Sequence, residues 1–101
     1  MIARIWRGRT PASKADEYFE YLKKTGLNDY RSISGNQGVY VLRRTKDEEA
    51  EFLLLSLWES IEAIKQFAGE DYEKARYYPE DKNFLLEFEP KVSHYEMLVK
   101  L

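Results

Sequence analysis

The chain has 101 residues, a formal net charge of −2 and no cysteine. Its length suits a single domain, and the missing cysteine excludes disulfides and Cys-ligated metal sites. The net charge is weakly negative, whereas proteins that bind nucleic acids need a basic surface. No nucleic-acid partner is therefore expected.

The first residues contain no long apolar segment of the signal-peptide kind. The longest strongly apolar run, residues 52–58, is much too short to span a bilayer. We therefore expect no membrane partner and a cytoplasmic location, which the lack of cysteine also fits.

The first predicted strand covers residues 2–8. Thr10 has the side chain of a helix N-cap, and Pro11 suits the first helical position, so a helix is predicted to begin there. Gly26 is the predicted end of this helix. Residues 27–34 are predicted to be a connection.

The next two predicted strands, residues 38–45 and 51–58, flank a charged hairpin loop at residues 46–49. The later strand is apolar on both faces, with Phe52, Leu54 and Trp58 on one and Leu53, Leu55 and Leu57 on the other. Such a strand lies in the centre of a sheet covered on both sides. The chain's own helices cover one side only, so we expect a homodimer formed through the sheet.

Ser60 is the predicted cap of the second helix, and Gly69 is its predicted end. A further short helix is predicted at residues 71–77. Residues 84–88 suit either a short strand or an irregular segment. The last strand is predicted at residues 91–100, where apolar and polar residues alternate.

The order of these elements predicts an α+β domain, residues 1–101, of the ferredoxin-like type: βαββαβ with an antiparallel sheet. Right-handed connections then place the first strand between the third and the last. Trp6, Trp58 and His94 would lie on neighbouring strands. Whether they share one face depends on the register of the strands.

Three segments, IARIW near the start, LLLSLWES followed by IEAIKQF, and VSHYE near the end, resemble the antibiotic biosynthesis monooxygenase (ABM) superfamily. The resemblance implies a dimeric α+β barrel. The superfamily includes cofactor-independent oxygenases of polyphenols, heme-degrading monooxygenases and members without known activity. The resemblance therefore supports the fold better than a particular reaction.

The heme-degrading branch uses a histidine on the helix that follows the tryptophan strand. The matching residues 71–77 contain no histidine, and Tyr77 lies about where it is expected. This departure counts against heme degradation. Heme binding through Tyr77 or His94 stays a minor alternative, because tyrosine also ligates heme iron.

His94 is the only histidine, and its ordinary pKa makes it the candidate catalytic base. The alternative is a strand histidine that bonds a neighbour or faces solvent. One histidine does not make a multi-histidine metal site, and no other ligand spacing is present, so neither a metal nor another cofactor is expected.

Trp6 and Trp58 are candidate walls of a pocket for a flat substrate, although both also suit a hydrophobic core. Tyr40 is a candidate substrate contact through its hydroxyl group, and Tyr77 is a candidate contact from a loop able to close over a pocket. Each of these tyrosines also suits simple packing or a surface position.

Arg4 lies on the same predicted strand face as Trp6. If that face is buried, the guanidinium needs a partner. A structural ion pair with Glu96 across the sheet is the preferred interpretation. The alternative is an anionic ligand, which would make Arg4 a substrate-binding residue.

Two hypotheses follow. The first is an ABM-like, cofactor-independent monooxygenase of a small aromatic or polyphenolic compound, with His94 as base and Arg4 or Tyr40 stabilising the substrate anion. The alternative is a non-catalytic dimeric domain that binds a small apolar ligand or a protein partner.

Overall fold

The computed structural model describes all 101 residues. It contains four strands and three α-helices: β1 (Ile2–Pro11), α1 (Ala15–Lys24), α2 (Gly26–Ser32), β2 (Asn36–Lys46), β3 (Glu49–Trp58), α3 (Ile61–Ala68) and β4 (Ser93–Glu96). Short 3-10 turns occupy Ala12–Lys14 and Pro79–Asn83. No helix combines the length and the apolar character needed to cross a membrane.

The four strands form one antiparallel sheet in the order β2-β3-β1-β4. This confirms the predicted α+β, ferredoxin-like arrangement, with the first strand between the third and the last. Two crossovers build this order, the first through α1 and α2 and the second through α3 and the chain after it, and a right-handed connection is the rule for such units.

The strand register places the three predicted site residues on one face. Arg4 of β1 lies opposite Ser56 of β3 and His94 of β4. Trp6 follows Arg4 by two residues, and Trp58 follows Ser56 by two. Because side chains alternate along a strand, Trp6, Trp58 and His94 all project to the face that the helices cover.

The two faces of the sheet have different surroundings. The helix-covered face carries the buried core, which includes Trp6, Phe52, Leu54 and Trp58 together with Tyr18, Leu22, Tyr30, Ile64 and Phe67 from the helices. The outer face carries the half-exposed Ile5, Leu53, Leu55 and Leu57 and the exposed Tyr40, Leu42 and Tyr95. No element of the chain covers this apolar outer face.

The predicted helix start at Thr10 is wrong. Thr10 and Pro11 are the last residues of β1 and pair with Ala50 and Glu49 of β3. The Thr10 side chain is fully buried in this pairing. Strand pairing therefore overrides the capping signal, and α1 begins only at Ala15, after a 3-10 turn.

The predicted end of the first helix at Gly26 is confirmed, whereas the connection predicted at residues 27–34 is wrong. Helix α1 ends at Lys24, and the backbone N–H of its C-cap, Thr25, bonds the carbonyl of Tyr21 at 3.1 Å. A second helix, α2, follows directly and begins at Gly26. Burial of Tyr30 against the core holds this short helix in place, although its own sequence is a weak helix former.

The short helix predicted at residues 71–77 is absent. The N–H of Ala75 bonds the carbonyl of Pro90 at 2.9 Å, and the N–H of Val92 bonds the carbonyl of Glu73 at 2.8 Å. An isolated antiparallel bridge joins Lys74 to Lys91. Long-range pairing thus holds this segment extended.

The last strand is shorter than predicted, because β4 spans only Ser93–Glu96. Its partner β1 begins at Ile2, so later residues have no strand to pair with. Residues 84–88 are irregular, one of the two predicted alternatives. The predicted helix cap is confirmed, since the Ser60 hydroxyl accepts a bond from the Ala63 N–H at 3.2 Å.

Candidate functional site

A narrow cleft lies between the helices and the covered face of the sheet. The side chains that matter for its chemistry are Arg4, Trp6, Tyr30, Phe67, Tyr78 and Asp81. The remaining space is about 20 Å³, which is room for about one water molecule. It is the place where buried polar groups and aromatic rings meet.

Arg4 is the central charge of this cleft and is only 1% exposed. Its guanidinium donates to the Tyr30 hydroxyl at 3.1 Å and to the Lys74 carbonyl at 3.5 Å, while its Nε has no acceptor. Burial lowers the pKa of Arg4. The predicted ion pair with Glu96 is wrong, because Glu96 lies opposite Ile2.

A second arginine lies near Arg4, with a different charge environment. Both guanidinium groups lie over the Phe67 ring, Arg4 at 5.3 Å and Arg76 at 5.0 Å from its centroid. Arg76 forms an ion pair with Asp29 at 3.3 Å. Arg4 has no carboxylate partner, so its positive charge alone is left uncompensated.

Trp6 forms the floor of the cleft beside Arg4. Its ring meets Tyr77 edge-on, with centroids 6.2 Å apart, and its buried Nε1–H makes no hydrogen bond of good geometry. A Cβ at Gly8 would lie 2.3 Å from the Trp6 ring. The glycine therefore permits the position of this indole on the sheet.

Asp81 lies in the opposite wall and is 3% exposed. Its Oδ1 accepts from the Tyr18 hydroxyl at 3.3 Å, and its Oδ2 accepts from the Tyr78 N–H at 2.6 Å. No lysine or arginine pairs with it. Burial raises the pKa of the Asp81 carboxyl group, because no cation offsets the cost of desolvating its charge.

His94 lies behind Arg4, on the neighbouring strand, and is not one of the residues that line the cleft. Its ring packs edge-on against Tyr72, with centroids 5.2 Å apart, and its buried Nε2 has no partner. Burial and, to a lesser extent, the charge of Arg4 lower the pKa of His94.

Trp58 is a core residue and does not line the cleft. It is fully buried, its Nε1–H donates to the Ser56 hydroxyl at 2.9 Å, and its ring packs 5.9 Å from Tyr30 and 5.8 Å from Phe67. Tyr77 also lies outside the lining, and its hydroxyl donates to the carbonyl of Glu89. Both residues support the walls of the cleft from behind.

The placement of Tyr40 corrects the sequence interpretation. Tyr40 lies opposite Leu55 in the β2–β3 pair, which puts it on the outer face of the sheet. It is 54% exposed there. The sheet itself separates it from the cleft, so it does not contact a ligand bound there.

Sequence reasoning missed four of these cleft residues, Tyr30, Phe67, Tyr78 and Asp81. Tyr30 falls in the predicted connection and Phe67 in the predicted second helix, while Tyr78 and Asp81 lie in a stretch without a predicted element. The pattern of Phe67 with its helix neighbours predicted its burial. No local signal marked Asp81, because its burial depends on the packing of Tyr18 from α1.

A wider depression of about 640 Å³ lies beside the β2–β3 hairpin, and its lining contains no hydrophobic residue. Arg9 is paired there with Glu49 and Glu87, and Arg44 with Glu51. These exposed, compensated charges form a solvated surface rather than a ligand site. No cluster of three or more acidic or histidine side chains with a metal-binding arrangement is present.

Comparisons with solved structures show the same fold in several proteins. MhuD, a heme-degrader from Mycobacterium tuberculosis solved with two hemes in its active site, is 20% identical, with a TM-score of 0.66 over 100% of this chain and 99% of that chain. Rv0793 from the same organism is 16% identical, with a TM-score of 0.64 over 98% and 96%. A conserved protein from Methanosarcina mazei is 18% identical, with a TM-score of 0.60 over 94% and 91%.

No curated protein matches the sequence. The profile of the antibiotic biosynthesis monooxygenase family, by contrast, matches residues 1–75, which is more than half of the chain. The matched part contains β1 to β3, all three helices and the Arg4–Trp6 floor of the cleft. The chain is therefore a member of the antibiotic biosynthesis monooxygenase family.

Proposed function

We propose that this protein is a monooxygenase that acts, without a metal or organic cofactor, on a small phenolic compound bound in the cleft. The observation that carries the proposal is the Arg4 guanidinium, buried in the cleft wall without a carboxylate partner. Membership of the family supports an oxygenase reaction.

A buried cation without a counter-ion is costly, so an anion bound beside it is strongly favoured. A phenolate oxygen would supply the missing negative charge to Arg4. Trp6, which also lines the cleft, has a buried indole Nε1–H that makes no hydrogen bond of good geometry. The aromatic walls, Trp6 and Phe67, suit a flat ring.

The reaction uses dioxygen as the only oxidant. A base removes the proton of a phenolic hydroxyl, and the phenolate transfers an electron to dioxygen. The two radicals join at a ring carbon, and the resulting peroxide takes up the proton that the base removed. The ring carbon then loses its hydrogen as a proton, the C–H electrons form the new C=O bond as the O–O bond breaks, and the departing hydroxide takes that proton to form water. Hydroquinone and dioxygen would thus give hydroxyquinone and one water molecule, with every electron supplied by the ring. Arg4 would stabilise the phenolate.

His94 is the proposed base for this proton transfer. Its lowered pKa keeps the imidazole neutral, and therefore able to accept a proton, at neutral pH. It lies beside Arg4 and behind the lining, so the proton would reach it through a water molecule or a small movement of the β4 edge. Loss of turnover in His94→Ala, with ligand binding retained, is the expected result. Full turnover in this variant would remove His94 from the mechanism.

Binding of a ring requires more space than the cleft now has. The wall formed by Tyr78 and the 3-10 turn Pro79–Asn83 belongs to neither the sheet nor the α-helices. The Tyr78 hydroxyl bonds Asp29, and the N–H of Glu80 bonds the Tyr21 hydroxyl at 3.1 Å. Outward movement of this wall would break these bonds and stretch the Tyr18–Asp81 hydrogen bond, while Asp81 would still line the widened cleft and the sheet and α-helices would keep their packing.

The test is oxygen uptake with hydroquinone as the probe, with catalase present and absent. The proposal expects uptake above the uncatalysed rate and no return of oxygen with catalase, because the product is water and not hydrogen peroxide. Arg4→Met should lower kcat/KM at least tenfold, whereas Arg44→Met, a surface control, should not change it. Equal rates for wild type and Arg4→Met would contradict the proposal.

The apolar outer face supports a homodimer. The face carries half-exposed leucines and exposed tyrosines in one continuous area, and water contact with such an area is unfavourable. A second copy of the chain, with its sheet packed against this one, would cover it. We therefore propose that the protein forms a dimer through this face.

The alternative is a non-catalytic dimeric domain, and one observation favours it. The rings of Tyr30, Phe67 and Trp58 pack at 4.3 to 5.9 Å and occupy most of the space between the helices and the sheet. A protein without turnover needs no larger cavity. Absence of oxygen uptake with hydroquinone, combined with binding of it, would favour this alternative.

Heme fits the described cleft poorly. A porphyrin is several times larger than one aromatic ring, the Tyr77 hydroxyl is already bonded to Glu89, and the His94 Nε2 is buried against its own surroundings. MhuD has the same fold and binds heme, so heme binding by this chain is the property to test. We expect hemin titration to give no Soret shift, and a saturable shift would revive heme binding.

A further inference from the structure

We infer that Asp81 determines ligand specificity by accepting a hydrogen bond from a second donor group of the substrate, at the end of the cleft away from Arg4. The inference rests on the proposed function, since it concerns the same cleft. It restricts the ligand to phenols that carry a further hydroxyl or amine group.

The first observation is that Arg4 and Asp81, which carry opposite charges, line one cleft without pairing, whereas Arg76, which also lines it, is paired with Asp29. Arg4 and Asp81 are both almost fully buried, yet they form no ion pair with each other. Neither has another charged partner within ion-pair distance. Two desolvated, unpaired groups in one small site suit a ligand that satisfies both.

The second observation is the unused capacity of the Asp81 carboxyl group. It receives a bond of 2.6 Å from the Tyr78 N–H and a long one of 3.3 Å from the Tyr18 hydroxyl. An ionised carboxylate has about four acceptor positions, so about two are left. A donor entering the cleft would find an acceptor there.

Capping alone does not explain an aspartate at this position. Asp81 closes the 3-10 turn by accepting from the Tyr78 N–H, which needs a single oxygen. Asparagine or serine would supply that oxygen without the cost of a buried charge. The carboxylate at this position serves more than the cap: it also accepts from the Tyr18 hydroxyl, and it still has acceptor positions for a ligand donor.

The two groups lie at different ends of the floor. Arg4 contacts Tyr30, near Ser56. Asp81 contacts Tyr18, whose ring packs 5.3 Å from Phe52, and Phe52 lies opposite Gly8.

Trp6 and Leu54, which lie opposite each other, occupy the floor between these ends. Positions 4 and 8 of a strand are separated by roughly 13 Å. A ring with polar groups on opposite sides spans such a floor with one group towards each end. The ionised oxygen would face Arg4, and the protonated donor would face Asp81.

The experiment compares phenol and hydroquinone, which differ by one hydroxyl, in anaerobic calorimetric titrations. The wild type should bind hydroquinone about tenfold more tightly, as one hydrogen bond to a charged acceptor allows. Asp81→Asn should lose most of this preference, because it has one uncharged oxygen, which already accepts from the Tyr78 N–H, and an amide group that donates in place of the second acceptor. Equal preference in wild type and Asp81→Asn would overturn the inference.

Tyr18→Phe provides a second variant, whether or not Asp81→Asn folds. It frees an acceptor position on Asp81, so the preference for hydroquinone should persist or increase. A purely structural Asp81 predicts no such result, and a reduced preference would contradict its role as acceptor. Equal binding of both phenols by the wild type would overturn this inference alone, whereas no binding of either would also overturn the proposed cleft.

Discussion

Arg4 and His94 lie directly opposite each other in the antiparallel β1–β4 pair, with both side chains on the helix-covered face. The surroundings of His94 are the charge of Arg4, the weaker opposing charge of Glu73 and the ring of Tyr72. Burial and the Arg4 charge together make protonation of the imidazole unfavourable. The folded state is therefore sensitive to acid at this position.

The pH dependence of stability should reveal this sensitivity. His94 has a lowered pKa in the folded state, so the unfolded chain binds its proton at higher pH. The free energy of unfolding should fall as the pH drops through about 6.5, the ordinary histidine pKa, and below it. Urea unfolding of wild type and His94→Gln at pH 7.5 and about pH 5.5 measures this loss of unfolding free energy. The wild type should lose more stability than the variant, and parallel losses would contradict the prediction.

Replacement of Arg4 by an apolar residue should weaken ligand binding without lowering the stability of the fold. Arg4→Met removes a buried charge without an ion partner and keeps most of the volume. We expect the free energy of unfolding to stay within about 1 kcal/mol of wild type or to rise. Urea unfolding provides the measurement, with Arg4→Ala as a control that also loses packing and should be less stable than Arg4→Met. A loss above about 3 kcal/mol in Arg4→Met would instead indicate a structural role.

Gly35 marks a close approach of the chain before β2 to helix α3. A Cβ at Gly35 would lie 2.3 Å from the Cβ of Ala63. Gly35→Ala should therefore lower the free energy of unfolding by about 1–3 kcal/mol. Gly26→Ala is the control, because its Cβ would meet only the Tyr78 ring at an ordinary 3.7 Å. Equal stability of the two variants in thermal unfolding would show that α3 moves freely to make room.

The proposed dimer should depend on the outer face of the sheet. Leu55 lies near its centre, opposite Ile5 and Tyr40, and is only half-buried in the single chain. Leu55→Glu should therefore convert the dimer to a monomer with a folded core. Light scattering after size exclusion gives the mass, and Gln66→Glu on the exposed side of α3 is the control. A wild-type monomer, or a dimer in Leu55→Glu, would contradict the proposed interface.

The sequence by itself predicted the elements whose signals are local or strongly repeated. The two-faced apolar pattern of β3 indicated a central strand, and Ser60 with Gly69 bounded α3, as the structure confirms. The order of strands and helices then left few topologies, because crossovers have a fixed hand. The position of Arg4 and Trp6 on one face followed from simple alternation.

Only the tertiary structure decided the features that depend on distant partners. Thr10 lies in β1 because it pairs with β3. Residues 73–75 are extended because their backbone bonds residues 90–92. Asp81 became a buried acid because Tyr18 and Tyr78 surround it, and Tyr40 fell on the outer face through the register of β2. Local sequence carries no record of these contacts, since burial and charge compensation arise only when separate segments pack together.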